Sequence, residues 1–385
     1  MKIESITVQK FKRFDNLEVS FKNKTLQEVT NRFLILGDNG TGKTTLLQAI
    51  ALPLALATKQ RTTVYDFDWV GFLPGRFFAW GSPHIELEIS FEDEELEATK
   101  SVAQRWYEAQ PIEFRPQNFV EPGNNRLVKL ILNGEYWKVG ENNDQRERAQ
   151  FQGRYYAQKL LNRDPSIRSE FSKLPGIFWF DQFRNLGSKP TPESGGDGFR
   201  ETAAEISFES GVGRLRQYLI QWKQWKQWKQ RPQSYNYSVD YLSQLEMLYK
   251  KVFPDRSFIG IEYQPSHDSP TEQNTYFTLN DGHRTYDIVE MSAGEQSVFP
   301  MLYEIVRQQI AYSIVLVDEI DLNLHPPVAQ LLVNQLPKIA PTCQFMQIIL
   351  RLELRCLFLV NDFYHFRTVG EIQGVNTHFQ MLSAS

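Results

Sequence analysis

Eight residues, Gly37-Asp38-Asn39-Gly40-Thr41-Gly42-Lys43-Thr44, satisfy the spacing G-x-x-x-x-G-K-[ST] and follow the apolar run Phe33-Leu34-Ile35-Leu36 without a gap. The three glycines let successive backbone N–H groups curl around a β-phosphate. Lys43 reaches β- and γ-phosphates as a point charge, and the Thr44 hydroxyl suits Mg2+. A helix beginning near Lys43 turns its positive dipole end toward the same place. A second constellation lies far downstream. Ser313-Ile314-Val315-Leu316-Val317 reads as a strand buried on both faces and ends in Asp318 and Glu319. Asp318 suits Mg2+ held through water, and Glu319 suits polarising an attacking water.

Two further stretches offer chemistry with an ordinary alternative beside it. Ser292-Ala293-Gly294-Glu295-Gln296 carries the S-x-x-E pattern of a capping box. That is either simply a well-capped helix start or a set of outward N–H groups and a hydroxyl matched to a γ-phosphate. Gln182 closes the apolar run Gly176–Phe180, where it presents an amide to Mg2+ or to the attacking water, or is an ordinary loop glutamine.

These groups need elements to position them. Ile3-Ile6-Val8 and Leu17-Glu18-Val19-Ser20-Phe21 read as two antiparallel strands ahead of the glycine loop, joined by Lys10-Phe11-Lys12-Arg13-Phe14. The three cations there contact nucleotide or a DNA backbone, or form a solvated strand end. The loop helix is expected to run to about Ala57, and residues 65–81, rich in aromatics and glycine, to be irregular. Ile85–Phe91 alternates as a half-buried strand, a helix is expected over Glu95–Ala109, and 127–132 with 136–139 reads as a hairpin around Asn133-Gly134. Residues 143–162 read as one helix, and 211–229 and 238–252 as two more. Strands follow at 259–263, 276–279 and 286–288. The helix after Ser292 is expected to kink or break at Pro300, and another helix covers 328–336. The repeat Trp222–Gln230 gives a skewed tryptophan stripe that either packs on a neighbour or contacts a partner.

Composition narrows the class. With 385 residues, 41% hydrophobic and 23% charged, the chain can bury a large core, and a net charge of −4 argues against a globally basic nucleic-acid coat. Two cysteines, Cys343 and Cys356, lack metal-ligand spacing, so free thiols in a reducing compartment and no zinc site are expected. The N-terminus alternates like a strand and has no signal-peptide core, and Ala49–Ala57 is too short to span a bilayer. A cytoplasmic protein without a membrane partner is the expectation. No run of heptads points to a coiled-coil arm.

The order G-D-N-G-T-G-K-T, M-S-A-G-E-Q, V-L-V-D-E-I-D-L-N-L-H-P resembles the ABC-type ATPase heads of the SMC/RecF class, in particular short OLD-like and Septu-like AAA-family defence ATPases without a nuclease domain. The opening I-T-V-Q-K-F-K-R-F is similar to the first strand and turn of that class. The resemblance covers residues 1–57 and 286–337. It implies an α/β P-loop NTPase of ABC-ATPase head type, with a mixed sheet, an antiparallel N-terminal lobe and an inserted helical region. The implied parts are 1–140 with Walker A, a mostly helical lid over 141–255, and 256–385 with signature and Walker B. It further implies ATP and Mg2+, bound by Gly37–Thr44 with Thr45, and by Gln182, Ser292, Gly294, Glu295 and Gln296. Metal ligands would be Thr44, Asp318 and Gln182, with Glu319 catalytic, Asp321 opening a D-loop, and His325 in an L-H-P turn, where a structural role is preferred. Partners implied are a second copy around nucleotide, DNA, and a separate nuclease effector in DNA repair or anti-phage defence. The chain departs from the class after Gln344-Phe345-Met346, where Gln347–Glu353 holds no Thr-His-Ser switch, and His365 and His378 stand in other contexts. A nucleotide-sensing scaffold with little turnover is the alternative this departure raises.

Overall fold

The computed structural model describes residues 1–23, 28–69, 71–181, 215–224, 240–263 and 275–350, and the backbone of 363–366 and 379–381. Along the chain, β1 (Lys2–Phe11) and β2 (Phe14–Ser20) lead to β3 (Arg32–Gly37) and α1 (Lys43–Ala57). Then come β4 (His84–Ser90), α2 (Asp93–Glu108), β5 (Leu127–Asn133), β6 (Tyr136–Val139), α3 (Gln145–Gln150), α4 (Gly153–Leu160) and β7 (Ile177–Phe180). A helix at 215–224, α5, precedes α6 (Tyr241–Val252), β8 (Ser257–Tyr263), β9 (Thr275–Asn280), β10 (Thr285–Asp287) and α7 (Ala293–Arg307). The chain closes with β11 (Ile314–Val317), α8 (Pro326–Ile339), β12 (Gln344–Ile348), β13 (Phe363–Phe366) and β14 (Phe379–Met381). It divides into two units: 1–182, 309–321 and 332–385; and 183–308 with 322–331. Residues 141–182, expected in the helical lid, group with the first unit.

The first unit holds two sheets. One is antiparallel, in the order β2-β1-β4-β5-β6. Its β4 turns Ile85, Leu87 and Ile89 inward and leaves Glu86 and Glu88 half-buried, as period-two alternation requires. The other runs β14-β13-β3-β12-β11-β7, parallel except for the antiparallel β13–β14 pair. Both β3 and β11 are unbroken apolar runs because a parallel sheet is covered on both faces, and all four residues of β11 are buried. The core between the sheets joins Ile3, Ile6 and Val8 of β1 to Leu46 and Ile50 of α1, Leu316 of β11 and Met346 of β12. Parallel register places Leu34 beside Gln347, and Gln347 beside Val317, so the loop after β3 and the acids after β11 emerge at the same sheet edge.

The second unit contains the β10-β9-β8 sheet and helices α5, α6 and α7. Within it Trp222 of the repeat stacks on Tyr241 at 5.2 Å and on Tyr303 at 4.9 Å between ring centroids, a packing role. Residues 225–230 of the repeat lie outside the described residues, as do Gln182, Cys356, 351–353 and His378.

Several expectations need correction. Residues 143–162 form two helices separated by a turn at Phe151-Gln152, where Phe151 is buried against the Phe91 ring at 5.2 Å between centroids; Gly153 then opens α4 so close to α2 that a Cβ there would come 2.7 Å from Thr99 Oγ1. Pro300 does not interrupt α7, which continues from Ala293 to Arg307. Val298, Phe299, Met301 and Leu302 are buried around the proline, and that packing outweighs a lost hydrogen bond. Ile288, expected in a strand, begins a 3-10 turn over Ile288–Glu290 capped by Asp287.

Candidate functional site

The glycine loop leaves β3 and enters α1 through two backbone conformations that only glycine adopts easily. Gly40 has φ +80° and Gly42, the residue before α1, has φ +104°. The Thr41 hydroxyl donates to Asp38 O at 2.9 Å and ties the loop to itself. Asp38, Asn39 and Gly40 are exposed on its crown, while Thr41, Lys43 and Thr45 are buried. Lys43 Nζ donates to Gly37 O at 2.8 Å and to Asp38 O at 2.9 Å. Burial lowers its pKa, against the raising effect of Asp318, Glu319, Asp38 and Asp321 nearby.

The acids after β11 reach the same place. Thr44 Oγ1 donates to Asp318 Oδ2 at 3.0 Å. Asp318 is 5% exposed, and its Oδ1 is buried with no hydrogen-bond partner among the described residues. Burial pushes the Asp318 carboxyl up to about 6. Thr44 and Lys43 pull it down, and the charges of Glu319 and Asp181 raise it further. Glu319 leaves the strand at φ +48°, a strained conformation for a non-glycine residue and one that marks functional turns. A hydroxyl beside a carboxylate with a buried, unpartnered oxygen fits Mg2+, which takes one or two protein oxygens and keeps water for the rest. No group of three His, Cys, Asp or Glu residues able to hold a metal occurs among the described residues. The next strand turn is tied in as well: the Asp321 carboxylate accepts Leu350 N–H at 3.0 Å, and Ile320 N–H reaches Ile348 O at 2.9 Å.

The β1–β2 turn covers the loop from outside. Arg13 Nη1 donates to Gly40 O, and the Phe14 ring lies where a Cβ on Gly42 would approach to 3.1 Å. Lys12 is no solvated strand end. It donates to Gln48 Oε1 at 2.5 Å and Gly71 O at 2.6 Å, and burial brings its pKa down to about 8.

In the second unit, Ser292 caps α7 with the expected box. Glu295 N–H donates to Ser292 Oγ at 3.3 Å, and Ser292 N–H donates to Glu295 Oε2 at 3.0 Å. Ser292 is exposed, whereas Glu295 is 3% exposed and its carboxylate is turned into the unit. Gly294 is half-buried, and Gln296 Nε2 donates to Met291 O at 2.9 Å. His325 is exposed, and its carbonyl accepts Val328 and Ala329 N–H at a helix start. Upstream, Arg216 of α5 donates to Asp287 Oδ1 through Nε at 3.0 Å, joining α5 to β10, the strand that leads toward Ser292.

Sequence reading thus places Lys43, Thr44, Asp318 and Glu319 where the fold brings them together, and Ser292, Glu295 and Gln296 likewise among themselves. It passes over Asp181, next to Phe180, whose carbonyl receives Asp318 N–H at 2.9 Å. It also passes over Phe14, Tyr249, Arg256 and Tyr286. An acid at the end of an apolar run was a usable signal for Asp181; the others are set by contacts distant in sequence.

The chain matches the family model described as "AAA domain, putative AbiEii toxin, Type IV TA system" over residues 108–350, and that described as "AAA ATPase domain" over residues 1–134. No curated protein matches it. Among solved structures it is similar to an Smc head bound to the C-winged helix domain of ScpA, at 15% identity and TM-score 0.50, over 100% of this chain and 98% of that one. It is also similar to the SMC head domain from Thermotoga maritima, at 11% identity and TM-score 0.46, over 100% of both chains. A third is an Smc head domain with an extended coiled coil bound to the C-terminal domain of ScpA derived from Pyrococcus furiosus, at 11% identity and TM-score 0.46, over 99% and 96%. The fold is that of an SMC-type P-loop ATPase head.

Proposed function

We propose that this chain, which belongs to the family of AAA domains described as putative AbiEii toxin, Type IV TA system, is an ATP-binding and ATP-hydrolysing head that pairs with a second copy around nucleotide. The observation that carries this reading is the 3.0 Å contact between Thr44 Oγ1 and Asp318 Oδ2 beside the carbonyl-held Lys43 ammonium. In this role the N–H groups of Gly37–Thr45 wrap the β-phosphate, and Lys43 exchanges its loop carbonyls for phosphate oxygens. Thr44 and Asp318 hold Mg2+, with Gln182 as a further ligand. Mg2+ held there would supply positive charge beside the phosphoryl group being transferred. Glu319 orients and polarises the attacking water. Ser292, Gly294 and Gln296 meet the γ-phosphate bound by the partner copy, with Glu295 fixing the serine.

DNA and a separate nuclease effector are the partners proposed, in a cytoplasmic repair or defence role. The family description, which names a Type IV TA system, supports the defence branch. The Smc head bound to a ScpA domain supports a head that also docks other proteins. A sensing scaffold with little turnover is favoured by one observation: the sequence that follows β12, Ile349-Leu350-Arg351-Leu352-Glu353, holds no histidine. An ATP turnover assay with and without DNA, on the native chain and on Glu319→Gln, separates the two. Turnover lost in the variant supports the ATPase, no turnover in either supports the sensor, and equal brisk turnover in both removes Glu319 from its role.

A further inference from the structure

The capping box at Ser292 is more heavily built than a helix start requires. Glu295 Oε2 accepts the Ser292 hydroxyl at 2.7 Å as well as Ser292 N–H at 3.0 Å. Its other oxygen, Oε1, accepts Tyr249 OH at 2.7 Å, Tyr286 OH at 2.7 Å and Arg256 Nε at 2.8 Å. These donors come from α6, from the turn after it, and from β10. An ordinary box glutamate reaches back from solvent to one N–H and needs no further support. Here a buried carboxylate is held by five donors, three of them on the oxygen that plays no part in the cap, so it cannot rotate without breaking charge-assisted hydrogen bonds. Tyr249 is wholly buried, packed on Phe253, Phe258 and Phe299, which fixes its hydroxyl in turn.

We infer that Tyr249, Arg256 and Tyr286 are positioning residues that act through Glu295 to preset the Ser292 hydroxyl and the first N–H groups of α7 for a phosphate oxygen of a second copy's nucleotide. The inference rests on the head-pairing reading above and deepens it. A serine hydroxyl has one proton. In the lone chain that proton is donated to Glu295 Oε2, and on meeting a phosphate it must turn outward. Glu295 then keeps Ser292 N–H on Oε2, while the three donors on Oε1 hold the carboxylate ionised and in place. Without them, the carboxylate is free to follow the hydroxyl or to take up a proton, and the helix start loses its geometry.

The test uses the full chain with Tyr249→Phe/Tyr286→Phe, and with Arg256→Met beside its conservative counterpart Arg256→Lys. Amide hydrogen exchange at 292–296 in the lone chain should quicken about tenfold in the double variant, while 298–306 keeps its protection. The dissociation constant of the dimer formed with a slowly hydrolysed ATP analogue and Mg2+ should rise about tenfold, with ATP affinity of the lone chain unchanged. Arg256→Lys should restore part of what Arg256→Met loses. Unchanged exchange at 292–296 overturns the inference, as does a double variant that pairs like a native chain that pairs. A native chain that stays monomeric with the analogue overturns the head-pairing reading, and with it the phosphate-facing role. If the double variant does not fold, Tyr286→Phe alone, at a half-buried position, allows the same exchange comparison, and unchanged exchange at 292–296 overturns the inference there too.

Discussion

Lys43 is held under the glycine loop by two backbone carbonyls, a geometry that a phosphate can take over without moving the helix. Lys43→Ala should therefore weaken ATP binding about a hundredfold or more, the loss of two charge-assisted hydrogen bonds of roughly 1.5–3 kcal/mol each. Calorimetric titration of ATP with Mg2+ measures this, and unchanged affinity would remove the loop from the site. Glu295 supports a second prediction at this scale. Burial alone raises its pKa, but the donors from Tyr249, Ser292, Arg256 and Tyr286 more than reverse that and hold it at about 2. Its folded value lies below the ordinary carboxylate value, so the unfolded chain binds more protons in between. The stability Glu295 contributes is thus fully present above about pH 4.5 and is lost as pH falls toward about 2. It is worth about 3 kcal/mol at neutral pH. Denaturant unfolding from pH 7 to pH 3 should show a steeper acid loss in the native chain than in Glu295→Gln, and parallel slopes would show that the carboxylate is not held in this way.

Among the elements, the turn from β3 into α1 is the most constrained. Gly42 combines φ +104° with the Phe14 ring 3.1 Å from where a Cβ would stand. Gly42→Ala should cost about 1–3 kcal/mol in stability and reduce ATP affinity further, because the strained conformation is the one that aims the N–H groups. Adding Phe14→Ala should relieve the contact but leave the backbone strain, so thermal melts should recover only in part. Full recovery would assign the whole effect to the ring. The same elements show what a sequence can reveal. Strands β1, β2, β4, β5, β6 and β11 were legible because period-two alternation and unbroken apolar runs are local signals. So was the link between the glycine loop and Asp318-Glu319, since each motif sits at a strand end. The turn at Phe151-Gln152 was not, because Phe151 is buried there against Phe91, a contact distant in the chain that no local spacing announces. Nor was the continuity of α7 through Pro300, which buried neighbours enforce against local preference. The donors around Glu295 come from α6 and β10, and no spacing within M-S-A-G-E-Q announces them.

For the whole molecule, Lys43, Thr44, Asp318 and Glu319 fall in one unit and Ser292 in the other. Among the described residues, no helix is long and apolar enough to cross a membrane. Each nucleotide in a paired head would be closed by the signature of a second copy, which makes assembly and turnover two faces of one event. Glu319→Gln should accordingly slow hydrolysis about a hundredfold or more while prolonging the paired state, since an amide keeps the shape but cannot take the proton. Single-turnover quench measurements check the rate. The most direct measurement is light scattering on a size-exclusion column, with the slowly hydrolysed ATP analogue and Mg2+, for the native chain, Ser292→Ala and Ser292→Arg. The account predicts that the native chain doubles its mass only with nucleotide and that Ser292→Ala pairs more weakly. Ser292→Arg should stay monomeric while still binding nucleotide. A Ser292→Arg chain that pairs like the native one, or a native chain that never pairs, would contradict it.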